Sequence, residues 1–148
     1  MSLEIEINNG IKQAMLGKEK FRLAALRAIK AEILLAKTAD GSDEISDAAI
    51  LKIIQKLVKQ RKESAAVYTA NNRPELAENE LAEATCLEVY LPKQLDGAEL
   101  ENILKEIIAQ VGAKTPADMG KVMGVATKKL AGQADGRTIS ETVKRLLS

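Results

Sequence analysis

Residues 115–147 read TPADMGKVMGVATKKLAGQADGRTISETVKRLL, and the period of their apolar side chains decides the fold class. Thr115-Pro116 is a helix-start signal, a capping hydroxyl before a proline at the first helical position. Met119, Val122, Met123, Ala126 and Leu130 then fall at helical spacing on one narrow face. Gly132 stops this helix. Asp135 is placed to cap the next, whose stripe is Ile139, Val143, Leu146 and Leu147. At about 100° per residue, Lys121 and Lys128 share the side opposite the first stripe, with Gly120 and Gly124 beside them. Arg137 and Lys144 repeat the same offset on the second helix.

Helical stripes continue back through the chain. Ser2 to Leu16 can cap and form a first helix with Leu3, Ile7, Ile11 and Met15 about one turn apart, and Gly17 breaks it. A second, from Lys18 to about Lys37, carries Leu23, Leu26, Ile29, Ile33 and Leu34. Residues 39–43 form a loop. Ser46 caps a long third helix, to about Thr69, with Ile50, Ile53, Ile54, Leu57, Val58 and Tyr68 inward. The second and third helices would each span about 30 Å. Their short connection predicts an antiparallel hairpin, too thin to bury both faces alone. Asn71-Asn72-Arg73-Pro74 closes it, and Pro74 starts a fourth helix to about Tyr90. Asp96 caps a fifth, to about Val111, with Leu100, Ile103, Leu104, Ile107 and Ile108 apolar, and Gly112 closes it. No period-2 stretch appears. The expected fold is all-α, a long N-terminal helical hairpin region over 1–92 and a small C-terminal helical bundle over 93–148.

Composition agrees with helices: 46% of residues are hydrophobic, with three Pro, nine Gly and few aromatics. Charge is distributed unevenly. Residues 112–148 hold seven Lys or Arg against three Asp or Glu, and the rest of the chain fifteen against eighteen. A basic C-terminal quarter on a mildly acidic body points to a polyanionic partner. Lysines in last turns also complement the helix dipole, which accounts for part of that count without any ligand.

Catalytic chemistry finds no support. The chain has no histidine, which removes the commonest general base and metal ligand. Cys86 is the only cysteine and has no histidine to activate it, so it reads as a structural thiol. Glu75, Glu78, Glu80, Glu83 and Glu88 read as a solvated face, lacking the Glu-x-x-His pairs of metal-carboxylate bundles. The glycines punctuate helices and build no phosphate loop. No catalytic residue, metal site or cofactor is expected. Lys52, Lys56, Lys59, Gln60, Arg61 and Lys62 form a second basic run, which interleaves with the apolar stripe, and Lys59 and Glu63 are spaced as an ordinary i,i+4 pair. No apolar run approaches membrane-spanning length and the first residues have no signal-peptide core, so a cytoplasmic protein without a membrane partner is the expectation.

Gly120 and Gly124 need a reason, since glycine inside a helix costs about 1 kcal/mol against alanine. A neighbouring helix could cross closely there, or a ligand backbone could lie against the helix while Lys121 and Lys128 meet its charges. Spacing alone slightly favours the crossing.

Several stretches resemble the GatB/YqeY family: YLPKQL at 90–95, DMGKVMG at 118–124, GQADGRTIS at 132–140 and VKRLL at 143–147, together with KQRKESAAVY at 59–68 and NNRPELAENE at 71–80. The resemblance runs along the whole chain. It implies an all-helical, two-part fold and kinship with the tail domain of the B subunit of the glutamine-dependent tRNA amidotransferase. That tail contacts the outer corner of tRNA, and chemistry occurs elsewhere in the B subunit, which carries Asn-Pro where this chain has Asp135-Gly136. Carbon–nitrogen ligase activity with glutamine as amide donor belongs, on this resemblance, to the multi-subunit enzyme, whose catalytic parts have no counterpart in 148 residues. The expected function is a non-catalytic module that binds tRNA or associates with tRNA-charging or amidotransferase proteins, using Gly120, Lys121, Gly124, Lys128, Arg137 and Lys144. The alternative is a helical protein-interaction adaptor without RNA binding, docking through the N-terminal hairpin.

Overall fold

Seven α-helices and one short 3₁₀ turn follow one another, and no strand occurs among the described residues. The structure, a computed structural model, describes residues 2–148. The helices are α1 (Leu3–Leu16), α2 (Lys20–Asp40), α3 (Asp47–Ala70), α4 (Pro74–Glu88), α5 (Gly97–Val111), α6 (Met119–Lys129) and α7 (Gly136–Leu147). They fall into two compact units, Met1–Leu91 and Pro92–Ser148, each with its own apolar core.

In the first unit, Ile7, Leu26, Ile29, Ile33, Ile50, Ile54 and Leu87 are fully buried. Each such side chain contributes about 1.5–3 kcal/mol of burial. The starts of α1 and α3 are secured by side chains. Ser2 Oγ accepts from the Ile5 amide at 3.3 Å, and Ser46 Oγ from the Ala49 amide at 3.2 Å. The Leu3 amide, which α1 itself cannot satisfy, donates to Asp47 Oδ1 of α3 at 3.1 Å. Half-buried Glu4 and Lys37 join α1 to α2 as an ion pair, and Lys30 Nζ donates to Asn8 Oδ1 at 2.9 Å.

Three details depart from the expected stripes. Met15 and Leu34 are exposed, and α1 buries Gly10 and Ala14 instead. Gly10 lies where α4's continuation passes: a methyl there would meet Tyr90 Oη at 2.8 Å and Leu26 Cδ1 at 3.0 Å. Second, α2 and α3 do touch, but the most extensive pairing is α3 with α4. Only Asn71, Asn72 and Arg73 separate α3 from α4, so they fold back as a tight hairpin, and buried Ala65, Ala77 and Ala84 allow close approach. Third, Lys59 and Glu63 form no salt bridge among the described residues, whereas Lys62 of this run pairs with Glu88 of α4 at 2.8 Å.

Four helices end in the Schellman arrangement, two backbone bonds closing around a left-handed residue. That residue is Gly41 after α2, Asn72 after α3 and Gly112 after α5. After α1 it is Lys18, at φ 53°, although Gly17 is its neighbour. The Glu19 amide donates to Ala14 O at 2.9 Å and the Lys18 amide to Met15 O at 3.3 Å.

In the second unit, Leu100, Leu104 and Ile107 of α5, Val122 and Ala126 of α6, Leu130, and Ile139, Val143 and Leu147 of α7 make one core. Asp96 Oδ1 caps α5 through the Glu99 amide at 2.8 Å. The segment ahead of α5 is tied to the α6–α7 turn: the Leu95 amide donates to Gln133 O at 3.0 Å, and Gln94 Nε2 to Gly132 O at 2.6 Å. Thr115-Pro116 opens a 3₁₀ turn, Pro116–Asp118, ahead of α6 and not the α-helix itself. Asp135 stands at the start of α7, but its carboxylate makes no capping bond.

Candidate nucleic-acid interface

The outward face of α6 is built by exclusion. Its stripe of Val122 and Ala126, with Leu130 beyond, is buried, so helical geometry turns Lys121, Gly124 and Lys128 away from the core, and Gly120 flanks them. All four are exposed. Lys121 and Lys128 form no salt bridge among the described residues.

The two glycines resolve one alternative. A methyl built at Gly120 or at Gly124 meets nothing within 4 Å. No helix among the described residues crosses there closely, so the close-crossing reading that spacing favoured fails. Both sites are smooth, open backbone beside two cationic side chains.

Lys121 also lies near Asp118. The Asp118 carboxylate accepts from the Lys114 amide at 2.9 Å and the Thr115 amide at 3.2 Å. Those two bonds, with the Lys121 charge, hold its pKa below the usual value. An ionised Asp118 thereby fixes the loop that leads into α6.

On α7, Arg137 and Lys144 are exposed, but the face is less basic than the offset implies. Arg137 Nε donates to Glu141 Oε1 at 3.1 Å, and Glu141 stands at the middle of the outward side. The i,i+4 spacing of Arg137 and Glu141 carried that signal in the sequence. Arg145 is engaged as well, reaching Glu101 of α5 at 3.5 Å. The structure therefore leaves the α6 pair freer than the α7 pair.

Elsewhere, the Cys86 thiol is half-buried and its pKa is raised, first by burial, against a lowering by Arg22. No group of three or more His, Cys, Asp or Glu among the described residues is arranged to hold a metal ion. Among the described residues no helix is long and apolar enough to cross a membrane.

Comparison with known proteins places these features in context. The model of a family described as Yqey-like protein matches residues 4–147. The protein of Meyerozyma guilliermondii named "Altered inheritance of mitochondria protein 41, mitochondrial" is 31% identical over 122 residues, which are 80% of this chain and 64% of that protein. Its namesake in Kluyveromyces lactis is 24% identical over 93% of this chain and 72% of its own length. The E subunit of the glutamyl-tRNA(Gln) amidotransferase of Thermococcus gammatolerans is 29% identical over 94% of this chain, a match that spans only 21% of that much longer protein. The chain thus covers less than two thirds of the first of these relatives and a small part of the third. The cytoplasmic expectation is overturned, because relatives matched along most of the chain carry "mitochondrial" in their names. Its basis, a lack of spanning runs and of a signal-peptide core, does not distinguish the cytoplasm from a mitochondrial compartment.

Proposed function

This chain belongs to the Yqey-like protein family, and on that premise we propose that it is an RNA-binding module, with tRNA as its target and no chemistry of its own. The observation that carries the reading is the open backbone at Gly120 and Gly124 beside Lys121 and Lys128. A sugar-phosphate backbone can approach a helix closely where no Cβ projects, and the two ammonium groups then neutralise phosphates and release their counterions. Such contacts position RNA by its shape and do not read bases. The chain has only three aromatic residues, too few for a single-strand stacking platform. Similarity to a protein whose name includes tRNA supports the choice of RNA over other polyanions. Association with an amidotransferase is a further part of this proposal, resting on that same similarity.

The test is tRNA binding by the full chain across a salt series. Changing Lys121, Lys128, Arg137 and Lys144 together to Ala should leave the fold intact and weaken binding. Each phosphate that is no longer neutralised should flatten the log–log salt slope by about 0.7–0.9. The Lys121→Ala, Lys128→Ala pair should account for most of the weakening, because Glu141 already offsets Arg137. A fourfold variant that binds tRNA as well as the parent at every salt concentration overturns the proposal.

A further inference from the structure

The corner between α1 and α2 carries a feature that the RNA reading does not use. Leu16 is 87% exposed, Met15 53% and Phe21 37%, on a helix end, turn and helix start that follow directly on one another. Lys12 lies one turn behind Met15 and Leu16 on α1, Lys18 sits in the turn, and Lys20 lies over the Phe21 ring at 5.9 Å from its centroid. None of the three lysines forms a salt bridge among the described residues. The one acid of the turn, Glu19, is already paired with Arg22 at 3.0 Å. The corner is therefore apolar at its tip and cationic around it.

Backbone geometry adds an independent sign. The left-handed position that closes α1 is held by Lys18, where the other three such ends use Gly or Asn. A left-handed conformation is unfavourable for a residue bearing Cβ, and the Lys side chain is not short and polar, as that of Asn is, to offset this with a local hydrogen bond. The strained position puts a charge at the tip that a glycine would not supply.

We propose that this corner docks on an anionic membrane surface. The exposed apolar side chains enter the headgroup region, and long lysine stems around them reach phosphate groups from the same depth. This is a surface contact and requires no spanning helix.

The full chain should co-sediment with phosphatidylcholine vesicles that contain phosphatidylserine and not with phosphatidylcholine alone, and added salt should release it. Changing Lys12, Lys18 and Lys20 to Ala should lower partitioning roughly fivefold for each lysine removed. Leu16→Ser should also lower it at constant charge, which separates insertion from plain attraction. Lys18→Gly is the diagnostic variant: it should raise the melting temperature by relieving the left-handed lysine, yet bind vesicles less tightly. Lys121→Ala with Lys128→Ala should bind vesicles as the parent does, whatever becomes of tRNA binding. The proposal is overturned if the parent ignores phosphatidylserine vesicles, including the case in which it binds an acidic polypeptide such as polyglutamate instead. It is equally overturned if the triple lysine variant binds like the parent, or if the weakening follows Lys121 and Lys128.

Discussion

Glycines at three positions of this chain face opposite circumstances, and one substitution tells them apart. At Gly10 a methyl group would stand 2.8 Å from the Tyr90 hydroxyl, closer than real side chains come. Gly10→Ala should therefore destabilise the first unit by about 1–3 kcal/mol, the usual cost of overpacking. Gly10→Ala combined with Tyr90→Phe should regain part of it, and denaturant melts measure both. At Gly120 and Gly124 the same methyl meets open space. Gly124→Ala should stabilise by up to about 1 kcal/mol through helix propensity, while weakening tRNA binding if the α6 face is the site. Asp118 offers a pH readout at the same scale. Its pKa is lowered in the folded chain, chiefly by the Lys114 amide and then by the Thr115 amide. A depressed carboxylate pKa contributes stability above the unfolded value and loses it as pH falls through the folded one. Asp118→Asn should remove that acid-side loss, seen as a flatter stability–pH curve below the ordinary carboxylate range.

At the scale of elements, capping ties one helix to another. The Leu3 amide of α1 finds its acceptor on Asp47, the first residue of α3. Asp47→Ala should cost about 1 kcal/mol, as cap removal usually does, and should speed amide exchange at the start of α1. Helix number, order and most ends were legible in the sequence, because stripes, capping Ser2, Ser46 and Asp96, the loop around Gly41 and the stop at Gly112 are local signals. Partner choice was not. It depends on small residues: Ala65, Ala77 and Ala84 are buried between α3 and α4, and counting large apolar side chains passes over them. Gly10 and Ala14 were missed on α1 for the same reason, and Met15 was set inward by a period drawn from the larger neighbours. In the candidate site, spacing located Lys121 and Lys128, whereas the open surroundings of Gly120 and Gly124 depend on what lies across space. No periodicity reports that.

For the whole molecule, the division at Leu91 and Pro92 has a consequence for folding. Residues 92–148 hold a core to which α5, α6 and α7 all contribute, and hydrogen bonds tie their first residues to the α6–α7 turn. A polypeptide of residues 92–148 should fold by itself into a helical unit, at the lower margin of size for a single core. Circular dichroism and a cooperative melt check this, and an unfolded fragment refutes it. The same fragment should retain the tRNA affinity of the full chain if α6 carries the site.

Tyr90, whose hydroxyl occupies the space beside Gly10, also has an optical consequence. The chain has no tryptophan, and its two tyrosines and one phenylalanine, at positions 68, 90 and 21, all precede Leu91. Tyrosine emission and near-ultraviolet dichroism therefore see the first unit and are blind to the second, while far-ultraviolet dichroism sees both. Recording the two signals in one titration gives the order in which the units lose structure, with no dye or label attached.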